Sequence, residues 1–177
     1  MIKAGDVVGR TVTVREGGQM VGKVKDLVVD GSGGRVLGFL IGQGAFKRTK
    51  VAPYGELQAL GPDSLVLSTE QSITKAADAI DIKAALAEDT KIRGLKLQTT
   101  DGKHLGTVED FYFDEASGQV EGYEISGGVF SDAFGGRSFM PTHPSLELGE
   151  HVAFVDPEAE MTIRQPEGGL KGVFKKS

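Results

Sequence analysis

The sequence lacks cysteine and any long apolar run, and these two absences limit what the protein can be. With no Cys among 177 residues, the chain has no disulfide framework, no thiolate nucleophile and no sulfur-ligated zinc or iron–sulfur site. No segment reaches the roughly eighteen consecutive apolar residues that a membrane-spanning helix needs. The first residues contain no apolar run typical of a secretory signal. We therefore expect a cytoplasmic protein without a transmembrane segment.

A strong charge of one sign is also missing. The chain has 20 Lys and Arg against 25 Asp and Glu, a net charge of −5 and a sequence pI of about 5.3. Domains that bind nucleic acid nonspecifically are usually basic, so this balance disfavours a general phosphate-binding surface. Two small basic clusters depart from it, one at residues 47–50 that includes Lys47 and Arg48, and one at residues 171–176.

Glycine, by contrast, is present in excess, and it marks an internal repeat. The 26 glycines are about twice the usual share of about 7%. Sliding the chain by 84 positions places residues 18–46 on residues 102–130 without a gap, and 11 of the 29 aligned positions are identical. Five of the identities are glycine pairs: Gly18/Gly102, Gly22/Gly106, Gly34/Gly118, Gly38/Gly122 and Gly44/Gly128. The two halves are therefore expected to share one fold.

Within each copy, short alternating or β-branched segments separated by glycine turns predict strands. In the first copy the predicted strands are 11–14, 24–30, 36–41, 49–52 and 64–68, with 71–74 as a possible last strand. In the second copy they are 95–98, 108–114, 120–125, 137–140 and 151–155, with 161–163 as a possible last strand. Five or six short strands per copy are typical of a small barrel, which leaves few exposed strand edges.

The segment between the copies changes character and predicts a helix. It is rich in alanine, and Ala76, Ile80, Ala84 and Ala87 fall at helical spacing. Thr74 and Asp78 are the candidate N-caps. We expect four parts: a first barrel at 1–74, a linker with a short helix at 75–90, a second barrel at 91–165 and a flexible tail at 166–177.

Two stretches carry a family resemblance. Residues 100–114 read TDGKHLGTVEDFYFD, and residues 17–30 repeat this turn and strand with Gly-Gly in place of Asp-Gly. Together with Pro53 and Pro141 in later strands, this pattern resembles the PRC-barrel family. The resemblance implies an all-β fold of two tandem small PRC-type β-barrels joined by a linker with a short helix. It also implies a module for contacts with other macromolecules, as found in many bacterial and archaeal proteins, and in a ribosome maturation factor.

Aspartates repeated in both copies form a candidate acidic site. Asp26 and Asp30 align with Asp110 and Asp114, and carboxylates four residues apart in a strand share a face where they can bind a metal or a proton. Their repetition favours structural roles instead. We expect the second Asp of each pair to accept turn N–H groups and the first to bond across the hairpin. A metal or catalytic role is the alternative.

The copies differ most around residues 127–139, where the second copy has about four extra residues. Phe134 lies there among glycines, close to Arg137, and an aromatic residue on such a loop can anchor a partner or can pack over the barrel end. We take Phe134, Arg137, Lys47 and Arg48 as the candidate partner contacts.

These observations favour a non-enzymatic scaffold or adaptor that binds a protein partner, with a homodimer as a further expectation. We expect no catalytic residue, metal or cofactor, because the chain shows no nucleophile paired with a base, and His104, His143 and His151 have no metal-site spacing. The alternative is an RNA-associated factor in ribosome assembly or RNA handling that uses Lys47, Arg48 and the basic tail. A third hypothesis is peripheral membrane contact through the tail.

Overall fold

Two sheets with matching strand order make up the fold. The computed structural model describes residues 1–42, 50–88, 91–128 and 136–164 of the chain. In these residues no helix is long and apolar enough to cross a membrane.

The chain divides into two compact units. One unit comprises Ile2–Thr90 together with Glu115–Gln119. The other unit comprises Met1, Lys91–Asp114 and Val120–Ser177. We refer to the sheet formed before residue 90 as the first copy and to the sheet formed after it as the second copy.

Strands and two short helices have the following bounds. The first half contains β1 (Ile2–Lys3), α1 (Ala4–Val7), β2 (Thr11–Val14), β3 (Gln19–Val29), β4 (Val36–Gly42), β5 (Lys50–Pro53), β6 (Leu57–Leu60), β7 (Ser64–Leu67), β8 (Thr74–Lys75) and α2 (Ile80–Glu88). The second half contains β9 (Lys96–Thr99), β10 (His104–Phe113), β11 (Val120–Ser126), β12 (Ser138–Pro141), β13 (Glu147–Leu148) and β14 (Val152–Val155). Single 3-10 turns connect several of them, at Glu16–Gly18, Tyr54–Glu56, Glu70–Ser72, Ala76–Asp78 and Pro157–Thr162.

Both copies have the same topology. The first sheet runs in the order β6-β7-β2-β3-β4-β5-β8, and the second runs β13-β14-β9-β10-β11-β12. In each, one parallel pair (β2 with β7, β9 with β14) lies among antiparallel pairs. The long hairpins β3-β4 and β10-β11 carry bulges at matching places, the first just before Asp26 and Asp110. The predicted all-β tandem architecture is confirmed.

Each sheet curls around its own apolar interior. Strand residues of alternating register supply it, as expected for half-buried strands. In the first copy the fully buried side chains include Val12, Val24, Phe39, Ile41, Leu65 and Leu67; in the second they include Leu97, Val108, Tyr123, Ile125, Ala153 and Val155. The repeat identities of the sequence therefore mark one shared core pattern.

Helix α2 packs on the first copy with a face that the spacing argument did not select. Ile82 and Ala85 are buried against Val28 and Val51 of the sheet, whereas Ile80 is 82% exposed and Ala84 and Ala87 are exposed. The expected N-caps are also wrong. Thr74 lies in β8 and Asp78 in a 3-10 turn, so neither directly precedes the helix.

The possible last strands at 71–74 and 161–163 are wrong as well. Local i to i+3 bonds turn the chain there: the N–H of Ile73 donates to the Glu70 oxygen, and that of Ile163 to the Glu160 oxygen, both at 3.1 Å. Backbone groups paired within a 3-10 turn are not available to a ladder. Only Thr74–Lys75 forms a two-residue strand.

Helix α2 offers a matched pair of variants. Ile82→Ala removes a side chain that is 3% exposed and is expected to lower the free energy of unfolding of the first unit by about 2–5 kcal/mol. Ile80→Ala changes the same residue type on the exposed side and should shift it by less than about 0.5 kcal/mol. Urea unfolding of both variants measures the difference. Equal effects would mean that the helix does not pack in this orientation.

Candidate functional site

The outer face of the first sheet is apolar and covered. Val28 lies opposite Gly38, and Leu40 opposite Val51, so these four residues share a face. The side chain of Ile82 from α2 lies on it, close enough that a Cβ added to Gly38 would come within 2.9 Å of Ile82 Cδ1. A larger residue than glycine would therefore lift the helix.

The same face of the second sheet is polar and aromatic. The register pairs Tyr112 with Gly122 and Glu124 with Phe139, so Tyr112 takes the place of Val28, and Glu124 the place of Leu40. The Phe139 ring lies over Gly122 and meets the Tyr112 ring edge-on at 5.8 Å between centroids. One fold therefore carries two different outer faces.

A buried carboxylate lies at the centre of this second face. Glu124 has no exposed surface, and its Oε2 accepts a hydrogen bond from the Tyr112 hydroxyl at 2.9 Å. Its Oε1 accepts one from Nη1 of Arg137. We call these three residues the Glu124 cluster. Beside it, the Ser126 hydroxyl donates to Oε1 of Glu109. Burying a carboxylate is costly unless such partners compensate the charge.

Arg137 links the buried carboxylate to solvent. Its side chain is 53% exposed, although its guanidinium is bonded to the fully buried Glu124. The hydrogen bond to Glu124, and then the charge of Glu124, raise the pKa of Arg137 above its ordinary value. The guanidinium therefore stays cationic and is held at a fixed place on the surface, where it can donate further N–H groups.

The first copy shows that the fold does not require this ion pair. At the position of Glu124 it has Leu40, which packs in the apolar cluster under α2. Buried ion pairs often add little to stability compared with apolar residues of similar size. The Glu124 cluster is thus best explained by what it holds at the surface, which is Arg137.

The sequence analysis identified Arg137 but missed Glu124 and Tyr112. A signal was present, because the 84-residue shift aligns Glu124 with Leu40 and Tyr112 with Val28. An acid that replaces an apolar residue in the middle of a repeated strand indicates a changed environment. The other three candidate contacts, Phe134, Lys47 and Arg48, lie outside the described residues.

The repeated aspartates serve turns and bulges. Oδ1 of Asp30 accepts bonds from the Ser32 hydroxyl at 3.0 Å and from the Gly34 N–H at 2.8 Å, as the expected turn role requires. Asp26 accepts from the N–H of the residue that follows it, at 2.9 Å, and Asp110 does the same at 3.0 Å. These bonds satisfy backbone donors at the bulge.

Asp110 has a second partner. Nε of Arg93 donates to its Oδ1 at 2.9 Å, and the Arg93 guanidinium also lies 5.6 Å from the centre of the Phe111 ring. The side chain of Asp110 is only 7% exposed, so this pair joins β10 to the chain that leads into β9.

No metal-ligand cluster is found where the structure describes the chain. Among those residues, no group of three or more His, Cys, Asp or Glu side chains lies close enough to hold an ion. His104 and His151 are exposed, and Nδ1 of His143 lies 2.7 Å from the Ser145 hydroxyl. The described histidines are therefore far from any arrangement that the metal alternative would need.

Two curled sheets of one topology, with different outer faces, define a tandem small-barrel protein. A family model described as PRC-barrel domain matches residues 1–72 and 86–161. The chain belongs to the PRC-barrel family, in two copies, and domains of this family are often involved in interactions. No match is found among curated proteins.

The turn role of Asp30 can be separated from metal binding. Asp30→Ala removes the acceptor of two turn bonds and should lower the free energy of unfolding by about 1–2 kcal/mol, whereas Asp30→Asn keeps an acceptor oxygen and should cost less. Thermal unfolding with and without added Ca²⁺ or Mg²⁺ measures both effects. We expect no metal-dependent change in Tm. A rise in the wild type that Asp30→Ala abolishes would establish a metal site instead.

The Glu124 cluster can be tested by transplanting the first copy's residues. Arg137→Thr leaves the buried carboxylate without its cation and should cost about 2–3 kcal/mol, less than for a fully buried pair because Arg137 is half exposed. Adding Glu124→Leu and Tyr112→Phe removes the buried polar groups, and stability should return to within about 1 kcal/mol of the wild type. Urea unfolding checks the order. A triple variant less stable than Arg137→Thr would contradict it.

Proposed function

We propose that this PRC-barrel protein is a non-enzymatic scaffold or adaptor that binds partner proteins through the surface around Arg137. The observation that carries the proposal is the fixation of a half-exposed arginine by a fully buried carboxylate, at a position where the sister copy has an apolar residue. A guanidinium held in one orientation loses little side-chain entropy when it binds, so each hydrogen bond to a partner contributes more.

The surrounding charges favour a protein partner over a nucleic acid. Glu124 is bonded to Arg137, and the negative charge of Glu109 also acts on it. Glu121 is exposed on the neighbouring strand segment. One cation among three carboxylates gives a locally acidic surface, which repels a phosphate backbone. Main-chain carbonyl groups and single carboxylates of a protein can still accept bonds from the guanidinium.

Two identical folds in one chain also suit a scaffold. Since the outer faces of the copies differ, the two barrels can present different surfaces while they share one core design. Linking two binding modules raises the effective concentration of the second contact. The RNA-associated role stays the alternative, and Lys47 and Arg48 are its candidate contacts.

Affinity capture from nuclease-treated extract of the native host tests the proposal. The bait is the full chain, and the matched control is the triple variant Tyr112→Phe, Glu124→Leu, Arg137→Thr, which keeps the apolar face of the first copy. We expect a protein recovered with the wild type to fall at least about tenfold with the control, equivalent to about 1.4 kcal/mol. Phe134→Ala is measured in parallel.

Two outcomes would contradict the proposal. Equal recovery with the wild type and the folded triple variant would remove Arg137 as a contact. Partners that disappear on nuclease treatment, and that Lys47→Ala with Arg48→Ala also removes, would favour the RNA-associated role.

A further inference from the structure

An unprotected strand edge in the first copy stands out when the two copies are compared. β6 is the last strand of its sheet, and its four residues, LQAL, carry no charge. Gln58 and Ala59 are exposed. Natural proteins usually protect such edges with charges, prolines or very short strands, because an open edge can pair with another chain.

The second copy protects the equivalent edge in all three ways. Its edge strand β13 is only Glu147–Leu148, and the register with the next strand places Glu147 where the first copy has Ala59. Pro144 precedes it. Ser145 stands at the position of Leu57, and its hydroxyl accepts the Asp156 N–H at 2.9 Å. The same fold can therefore close this edge, and the first copy leaves it open.

Backbone groups of β6 point outward from the sheet. The N–H of Gly61 donates to the Ser64 oxygen at 2.9 Å, so Leu60 and Leu65 form the next, non-hydrogen-bonded pair of the antiparallel ladder. The N–H and C=O of Leu60 consequently face away from β7. They are placed to bond a strand added alongside β6.

A polar cleft lies beside this edge. It has a volume of about 460 Å³ and is lined by Arg15, Glu16, Gln58, Ser68 and Thr69. The backbone that carries it is fixed, because the N–H groups of Arg15 and Glu16 donate to the oxygens of Leu67 and Ser68 at 2.9 and 3.1 Å. Gln58 belongs both to β6 and to the cleft.

We propose that the β6 edge and its cleft bind a second copy of this chain, as an antiparallel pair of β6 strands around a two-fold axis. The charges select this occupant. Arg15 and Glu16 are adjacent and exposed, and a two-fold axis brings the arginine of each copy towards the glutamate of the other. An uncharged edge pairs with itself without like-charge repulsion, and a two-fold interface requires a self-complementary surface of this kind.

This dimer is independent of the partner surface around Arg137. Because the paired edge is short, the dimer is reversible and depends on concentration. A failure to dimerise would leave the proposed scaffold role untouched, and a failure of partner capture would leave the dimer untouched.

Sedimentation velocity of the full chain over a range of concentrations tests the association. We expect a monomer–dimer equilibrium that Ala59→Glu, the residue of the second copy, weakens at least about tenfold. Met20→Glu is the matched control, because Met20 is 75% exposed and lies outside β6 and the cleft; it should leave the equilibrium unchanged. A wild type that is monomeric throughout, or a dimer that Ala59→Glu does not weaken, would overturn the proposal.

Cross-linking identifies the paired edge directly, because the chain contains no cysteine. Gln58→Cys and Ala59→Cys are oxidised separately, and non-reducing electrophoresis measures the disulfide-linked dimer. We expect at least one of the two to cross-link efficiently, whereas Glu147→Cys on the protected edge and Met20→Cys should not. Efficient cross-linking by Glu147→Cys alone, or by all four variants equally, would refute pairing through β6.

Discussion

The register of the long hairpin in each copy is the constraint on which the other features depend. A bulge just before Asp26 or Asp110 shifts the pairing by one residue, and the aspartate satisfies the amide that the bulge exposes. That shift decides which side chains point into the barrel and which point outward. With the inward set fixed and apolar in both copies, the outward set was left to diverge.

Divergence of the outer residues gave the two copies different surfaces at modest cost. In the first copy Val28 and Val51 are sealed by Ile82 and Ala85 of α2, so this face is used within the unit. In the second copy Glu124 is buried with Tyr112 and Arg137 as partners. A buried carboxylate is tolerated there because both of its oxygens accept hydrogen bonds, one of them from a cation.

Much of the fold could be predicted from the sequence, because a repeated pattern provides its own confirmation. Glycine and aspartate pairs at a shift of 84 located the turns, and β-branched segments located the strands. Errors fell on short polar segments such as Glu70–Ser72, where local backbone bonds compete with a ladder. The packed side of α2 was also missed, since Ala76, Ile80, Ala84 and Ala87 satisfied the spacing while the sheet offered its contacts to Ile82 and Ala85.

The sequence by itself determined that the chain contains two copies of one small β-barrel, because periodic apolar residues and turn glycines act locally and need no knowledge of distant contacts. Only the tertiary structure decided that Arg137 and Glu124, thirteen residues apart, meet on one face. Likewise, only the strand order showed β6 as an open edge. Pairings between strands and the burial of a charge depend on which surfaces the fold brings together, and a linear pattern does not carry that information.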